Sequence, residues 1–380
     1  MESLMTLVLP FGAGQPVSVT PAGLSDTVRE ARRHNLLMLL YAQVSKNRDR
    51  IKPRNAVDDF LDEMKAAYYG NVARTTRREI AEGCTIDLLS GEGIPSVLLR
   101  GSTIACDLYG DPFCRTSADI DLLIRQDDML HADAVLSGNG YRRLDRLPLT
   151  FWASRIHHAV YHRPATDDLI EVHWNFGIPS FFRLSSEDIW ADTVRIDRMQ
   201  FRLSPAMMVI HLLMHHHMHS FRELRILTDI IWALHKYCDS IEWGAFAQRL
   251  THIGLLKTAM ITLSQMKMLC KERAESETAL RNFREAVEKS GHGKPVMLNR
   301  YFRSIAEKDH VFQDRRDKFM ARLALDIRKK MLLSFVTALF PSPGELKNLY
   351  GDNRSRMLPR HYAKFISWRM REWMPRISSH

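Results

Sequence analysis

The chain has 380 residues, 45% hydrophobic and 26% charged, a globular balance that excludes a wholly disordered or collagen-like polymer and allows roughly two to three domains. Its net charge of +10 is unevenly placed: residues 291–380 carry 19 Lys+Arg against 8 Asp+Glu, the other 290 residues 35 against 36. The five cysteines are odd in number, scattered and never in a CxxC pair, which argues against a disulfide framework or zinc ribbon and predicts a reducing, cytoplasmic setting.

In chain order, residues 1–92 read as a helical region. The opening MESLMTLVLPFG carries an acid where an export signal carries basic residues, so no export signal is expected. Ser25 is the expected cap of a helix on which Val28, Ala31, Leu36, Leu39 and Leu40 recur at about helical spacing. A second helix is expected from Asn55 to Leu89, with Phe60, Leu61, Met64, Ala67 and Tyr68 on one side, before the Ser90-Gly91-Glu92-Gly93 break.

Residues 93–203 then change pattern to a small mixed α/β unit. Pro95–Leu99 is short, apolar and flanked by glycine, as a buried strand is. Gly101-Ser102 turns the chain into a short helix ending at Tyr109, stopped by Gly110-Asp111-Pro112. Asp119 and Asp121 alternate with Ile120 and Leu122 at strand period, and Asp127–Leu136 reads as helix. His157–Tyr161 and Leu169–Trp174 are two more strands, with a turn at Ala165-Thr166-Asp167.

Residues 204–340 are expected to be helical again, from Ser204 as N-cap with Pro205 at the first helical position. Helices are expected near 205–219, 222–237, 242–253, 255–271, 274–290 and 312–338, and Phe340-Pro341-Ser342-Pro343-Gly344 breaks the chain before a basic segment, 341–380. The basic end suits nucleic acid, an acidic surface or a polyphosphate, and equally suits solvated faces of Arg-rich helices. No apolar run approaches the roughly 18–20 residues of a membrane span; Leu36–Tyr41 and Met331–Phe340 are of core-helix length. The fold class is α+β, a small mixed sheet between N-terminal helices and a larger C-terminal helical region.

The chemistry gathers around Asp119-Ile120-Asp121. Residues two apart on a strand share a face, about 6–7 Å between Cα atoms. Two carboxylates there repel, and a bridging divalent cation with a taste for oxygen is one remedy. Acid-x-acid arises about five times by chance at this composition, so the pattern alone more often marks a solvated edge. Upstream, Arg100-Gly101-Ser102 follows an apolar strand and starts a helix, which suits either a plain turn or a phosphate held by backbone N–H groups and the Ser102 hydroxyl. Downstream, Glu171 sits between Ile170 and Val172, costly to bury unless it ligates something or pairs with Arg100 or Arg115. His173 shares its strand face with Glu171, suited to orienting a ligand or to the core. His211, His215 and His219 form one helix stripe; without a His-Glu-x-x-His pattern, a polar helix face is the simpler reading than zinc. The seven tryptophans are too dispersed for a stacking platform, and there is no Walker A, Rossmann glycine or kinase-loop signature.

Strand, Gly-Ser and helix, then an Asp-x-Asp strand, then a Glu strand resembles the core of the nucleotidyltransferase superfamily, the polymerase-β-like fold. Leu98-Leu99-Arg100-Gly101, Tyr109, Arg115, Asp119–Leu123, Glu171-Val172-His173-Trp174, His211–His219 and Leu224–Asp229 are similar, over about residues 24–240, to one bacterial branch, the uncharacterised nucleotidyltransferases. Arg100 stands where that branch usually has lysine, keeping the charge but not its geometry; Ser102 fits the superfamily's wording better than the branch's. The resemblance implies a nucleotidyltransferase core and Mg²⁺-dependent (or Mn²⁺-dependent) transfer of AMP from ATP, with pyrophosphate release. The acceptor would be a hydroxyl on a small molecule, a peptide or protein, or an RNA end. In that reading Asp119, Asp121 and Glu171 ligate metal, and Gly101 and Ser102 hold the β/γ-phosphates. Arg100 or Arg115 neutralises pyrophosphate, His173 assists, and His215 and Asp229 face the cleft. Kinase-like phosphoryl transfer from the same site, or non-catalytic nucleotide or RNA binding, are the alternatives.

Overall fold

The computed structural model describes residues 2–10, 17–18, 20–144, 148–153, 156–179, 181–270, 277–290 and 358–373. The helix expected at 312–338, the break at 340–344 and most of the basic segment 341–380 lie outside the described residues.

The N-terminal region holds α1 (Glu2–Val8), β1 (Val17–Ser18), α2 (Pro21–Arg33), α3 (Leu37–Lys46), β2 (Ile51–Lys52) and the long α4 (Arg54–Gly91). The cap of α2 is Thr20, not Ser25: its hydroxyl accepts the Gly23 N–H at 3.0 Å, and Pro21 supplies the first turn. The expected single helix is two, because Asn35 takes a left-handed conformation (φ 56°) that asparagine tolerates. The apolar stripe runs through that break because both helices bury the same side.

One seven-stranded mixed sheet follows. Its strands are β3 (Ser96–Leu98), β4 (Ile120–Leu123), β5 (Arg142–Arg143), β6 (His158–Arg163), β7 (Asp168–His173), β8 (Thr193–Arg195) and β9 (Gln200–Leu203), in the spatial order β5-β6-β7-β4-β3-β9-β8. Between them lie α5 (Ser102–Tyr109), α6 (Met129–Gly138), α7 (Leu149–Trp152) and α8 (Ser186–Trp190). The four central expected strands are present. Strands β5, β8 and β9 went unread because each is two to four residues long and sits toward an edge, where Val194 is exposed and no apolar alternation develops.

Strand alternation divides the molecule into two cores. Ile120, Leu122, Ile170 and Val172 face one way and pack with Met129, Ala132 and Leu136 of α6, Leu89 of α4, and Phe365 of α14 (Leu358–Trp373). Leu123 and Val97 face the other way and join the larger core. That core gathers α1, α2, α3 and α5 with α9 (Pro205–Met218), α10 (Leu224–Tyr237), α11 (Trp243–Ile253), α12 (Leu256–Cys270) and α13 (Thr278–Ser290). Asp121, Glu171 and His173 share the strand faces of Leu123 and therefore look toward α9. Among the described residues no helix is long and apolar enough to cross a membrane.

Helix α9 is capped by Ser204, whose hydroxyl accepts the Met207 N–H at 3.2 Å. Residues 207–217 are buried on every side, so its histidines need partners. His216 donates to Gln265 Oε1 at 2.8 Å, and His217 Nδ1 lies 2.8 Å from Thr258 Oγ1, both on α12. His211, His215 and His219 face the sheet.

Candidate active site

The β4–β7 ladder is parallel and sets Asp121 opposite Glu171 and Leu123 opposite His173. The Leu99 N–H bonds the Asp121 carbonyl at 3.0 Å, and the Ile124 N–H bonds the His173 carbonyl at 2.9 Å, so backbone pairing fixes both of these positions. Asp119 lies just before β4, where Ser117 Oγ donates to its Oδ1 at 3.2 Å. These groups open into a cavity of about 530 Å³. Asp119, Asp121, Glu171, Arg100, Arg115, His173 and His215 all line it.

Two nitrogen-bearing side chains, Arg100 and His173, stand between the acids. The Arg100 guanidinium donates to Asp121 and lies 3.5 Å from Glu171 Oε2. His173 Nε2 is 3.0 Å from Asp121 Oδ1 and 3.3 Å from Glu171 Oε2. Arg100 Nη1 also lies 3.0 Å from His215 Nε2, which ties α9 to the floor of the site.

Burial works to raise the Asp121 carboxyl, but Arg100 and the His173 hydrogen bond prevail and hold it well below the usual carboxylate range. Glu171 is likewise held down, its burial outweighed by the bond from His173. Asp119 differs: burial first and the charge of Asp121 second push it up. Burial lowers His173, yet its bonds to the two acids prevail and raise it. Burial, then the Arg100 charge, drives His215 well below its ordinary value, so it is neutral and able to accept from Arg100.

Three of the expected residues lie outside the cavity lining. Gly101 caps α5 with φ 86°, a conformation glycine adopts freely; a Cβ there would come within 3.2 Å of Glu82 Oε1. Ser102 is buried, and its hydroxyl lies 3.5 Å from Glu82 Oε2, turned toward α4. Asp229, fully buried, accepts from the Tyr109 hydroxyl and from Arg115 Nε at 3.2 Å. It sits behind Arg115 and fixes that guanidinium. Sequence reasoning did not single out Asn35, His157, His158, Met218 and Arg225, which the cavity gathers from the α2–α3 junction, the start of β6, α9 and α10.

The donor set suits a hard divalent cation: three carboxylates on one wall, two of them neighbours in register, offer the oxygen ligands Mg²⁺ or Mn²⁺ takes. Oxygen and nitrogen atoms of Asp121, Glu171 and His173 lie within 4.8 Å of one another.

The strand–turn–helix leads into paired acidic strands with helices closing one face, the arrangement that the resemblance to nucleotidyltransferases implies. The family model described as uncharacterised nucleotidyltransferase matches residues 20–270, and the chain belongs to that family. No curated protein and no solved structure matches the chain.

Proposed function

We propose that the chain transfers a nucleotidyl group, AMP from ATP, to a hydroxyl acceptor with release of pyrophosphate, using Mg²⁺. The observation that carries this reading is the β4–β7 register, which sets the Asp121 and Glu171 carboxylates side by side at a cavity that Asp119 also enters. Bound at these three acids, the cation would neutralise phosphate oxygens and polarise the attacked phosphorus.

The chain's own groups do the rest. Asp119, just before β4, and Asp121 on β4 would hold the cation together with Glu171 on β7. Arg100 and Arg115, both lining the cavity, orient the triphosphate and neutralise the pyrophosphate as the Pα–O–Pβ bond breaks. Glu171, on the acceptor side, takes the hydroxyl proton as the new P–O bond forms. His215, neutral and bonded to Arg100, holds that guanidinium in line. Asp229 acts behind Arg115 as its anchor. Gly101 and Ser102 contribute through the backbone at the start of α5, since the Ser102 hydroxyl is turned to Glu82. The acceptor is a small molecule, a peptide or protein, or an RNA end. All five cysteines are free, which supports a reducing compartment such as the cytoplasm.

Incubating the protein and a cell extract with Mg²⁺ and ATP labelled in either the α- or the γ-phosphate tests the reading. Transfer of the α-label with pyrophosphate release is the expected result, and mass spectrometry of the labelled product names the acceptor. Transfer of the γ-label with ADP release would instead mean phosphoryl transfer. Nucleotide-induced thermal stabilisation without either product would mean a binding protein.

A further inference from the structure

Next to the carboxylates lies a second, nitrogen-rich cluster, joined to the transfer site through the His173 bonds to Asp121 and Glu171. His157 precedes β6, His158 opens it, and His173 is the register partner of His158 on β7. All three line the cavity. The Nδ1 atoms of all three are buried and without a hydrogen-bond partner. An unmet buried polar atom is rare in native structures and asks for a reason; three in adjacent rings ask for a common one.

The rings have the spacing of ligands around one ion. Their centres are 4.5 Å apart for His157–His158, 5.0 Å for His158–His173 and 5.7 Å for His157–His173. Three imidazoles bound to a tetrahedral ion at about 2.0–2.1 Å hold their centres about 5 Å apart. One ring nitrogen from each lies within 4.8 Å of the others, a contraction away from contact with a shared ion. The outer partner is also in place: His173 Nε2 is bonded to Asp121, and a metal-binding histidine usually gives its other nitrogen to a carboxylate, which fixes the ring and its tautomer.

We propose that His157, His158 and His173 form a binding site for a borderline divalent transition ion, Zn²⁺ or its chemical equivalents, beside the oxygen-rich site. Imidazole nitrogen selects such ions, whereas carboxylate oxygen selects Mg²⁺. Three protein ligands leave the fourth tetrahedral position for water or a substrate oxygen. Asp121 then serves both sites, as a carboxylate toward the cavity and as the outer partner of His173.

The site is testable without nucleotide, so its failure and the failure of the transfer reading are distinct. Untagged protein is stripped with chelator, dialysed against Zn²⁺ or Co²⁺ in excess Mg²⁺, and assayed for bound metal and for the visible spectrum of the Co²⁺ form. One retained equivalent per chain is expected, with the intense visible bands of tetrahedral Co²⁺. His157→Ala and His158→Ala should each weaken binding by about 100-fold or more, and Asp121→Ala, through the outer bond, by about 10–100-fold. Asp119→Asn should leave it unchanged. No retained metal, displacement by Mg²⁺, or retention unaltered in the His157 and His158 variants would overturn the proposal. If either variant fails to fold by circular dichroism, the wild-type spectrum decides: weak octahedral bands overturn it.

Discussion

Arg100 stands at the meeting point of Asp121, Glu171 and His215, and its guanidinium does there what a point charge would not: it touches an acid and an imidazole together. Arg100→Lys keeps the charge and loses one of those contacts, so a drop in nucleotide affinity with a preserved fold is expected, read by calorimetric titration with ATP. A second residue gives a pH dependence. Burial, then the charge of Glu79, pushes Glu82 up to about 7 from an ordinary 4.5. An acid raised on folding holds a proton in the native state that the unfolded chain has released, so stability falls as pH rises from about 4.5 to about 7. Glu82→Gln should therefore be more stable than wild type at pH 8, by about 3 kcal/mol, and equal to it at pH 4.5, in paired denaturant titrations. Equal stability at both pH values would refute that burial penalty. Asp119, Asp121 and Glu171 were legible in the sequence because strand alternation advertises a shared face. Glu82 was not, since nothing in helix α4 marks which of its acids meets a turn in residues 101–102.

Helix α9 shows how one element can serve two roles. The stripe His211, His215 and His219 was readable from its i, i+4 spacing, and it faces the cavity. His216 and His217 fall off that stripe by the same spacing, and they bond Gln265 and Thr258 of α12. His216→Ala should cost about 2–4 kcal/mol of stability, from the cavity it leaves and from the lost bond to Gln265 Oε1, with activity per folded molecule unchanged. His215→Ala should do the reverse, lowering transfer while leaving the denaturation midpoint near wild type. A swapped outcome, with His216→Ala silent in stability, would contradict this division of the helix. Long periodic helices and the short apolar strands β3 and β4 were legible; β5, β8 and β9, toward the sheet edges, were set by neighbours distant in sequence.

On the scale of the whole molecule, the sheet is a partition between two cores, and its cavity side is assembled from distant segments: Asn35 after α2, Arg100 before α5, Asp119 and Asp121 at β4, Glu171 and His173 on β7, and His215 on α9. Such a site cannot be read from any one segment, only from the order in which the strands pair. The far side is closed by α14, where Phe365 is 1% exposed against Ile170 and its neighbours in the smaller core. A segment that reads as basic and solvent-facing thus carries a structural anchor, and Phe365→Ala should destabilise the protein by about 3–5 kcal/mol, measurable by urea titration. A change below about 1 kcal/mol would mean that α14 does not hold that core.

The proposed transfer rests on a cation that the register-paired acids would hold. Pyrophosphate release from ATP with extract, followed against Mg²⁺ for wild type and Asp121→Asn with matched circular dichroism, tests it most directly. Mg²⁺-dependent release by the wild type is expected, with a loss of about 100-fold or more in the variant, the several kcal/mol that a bound cation would supply. Release by Asp121→Asn at the wild-type rate, or release by the wild type that is indifferent to Mg²⁺, would contradict it.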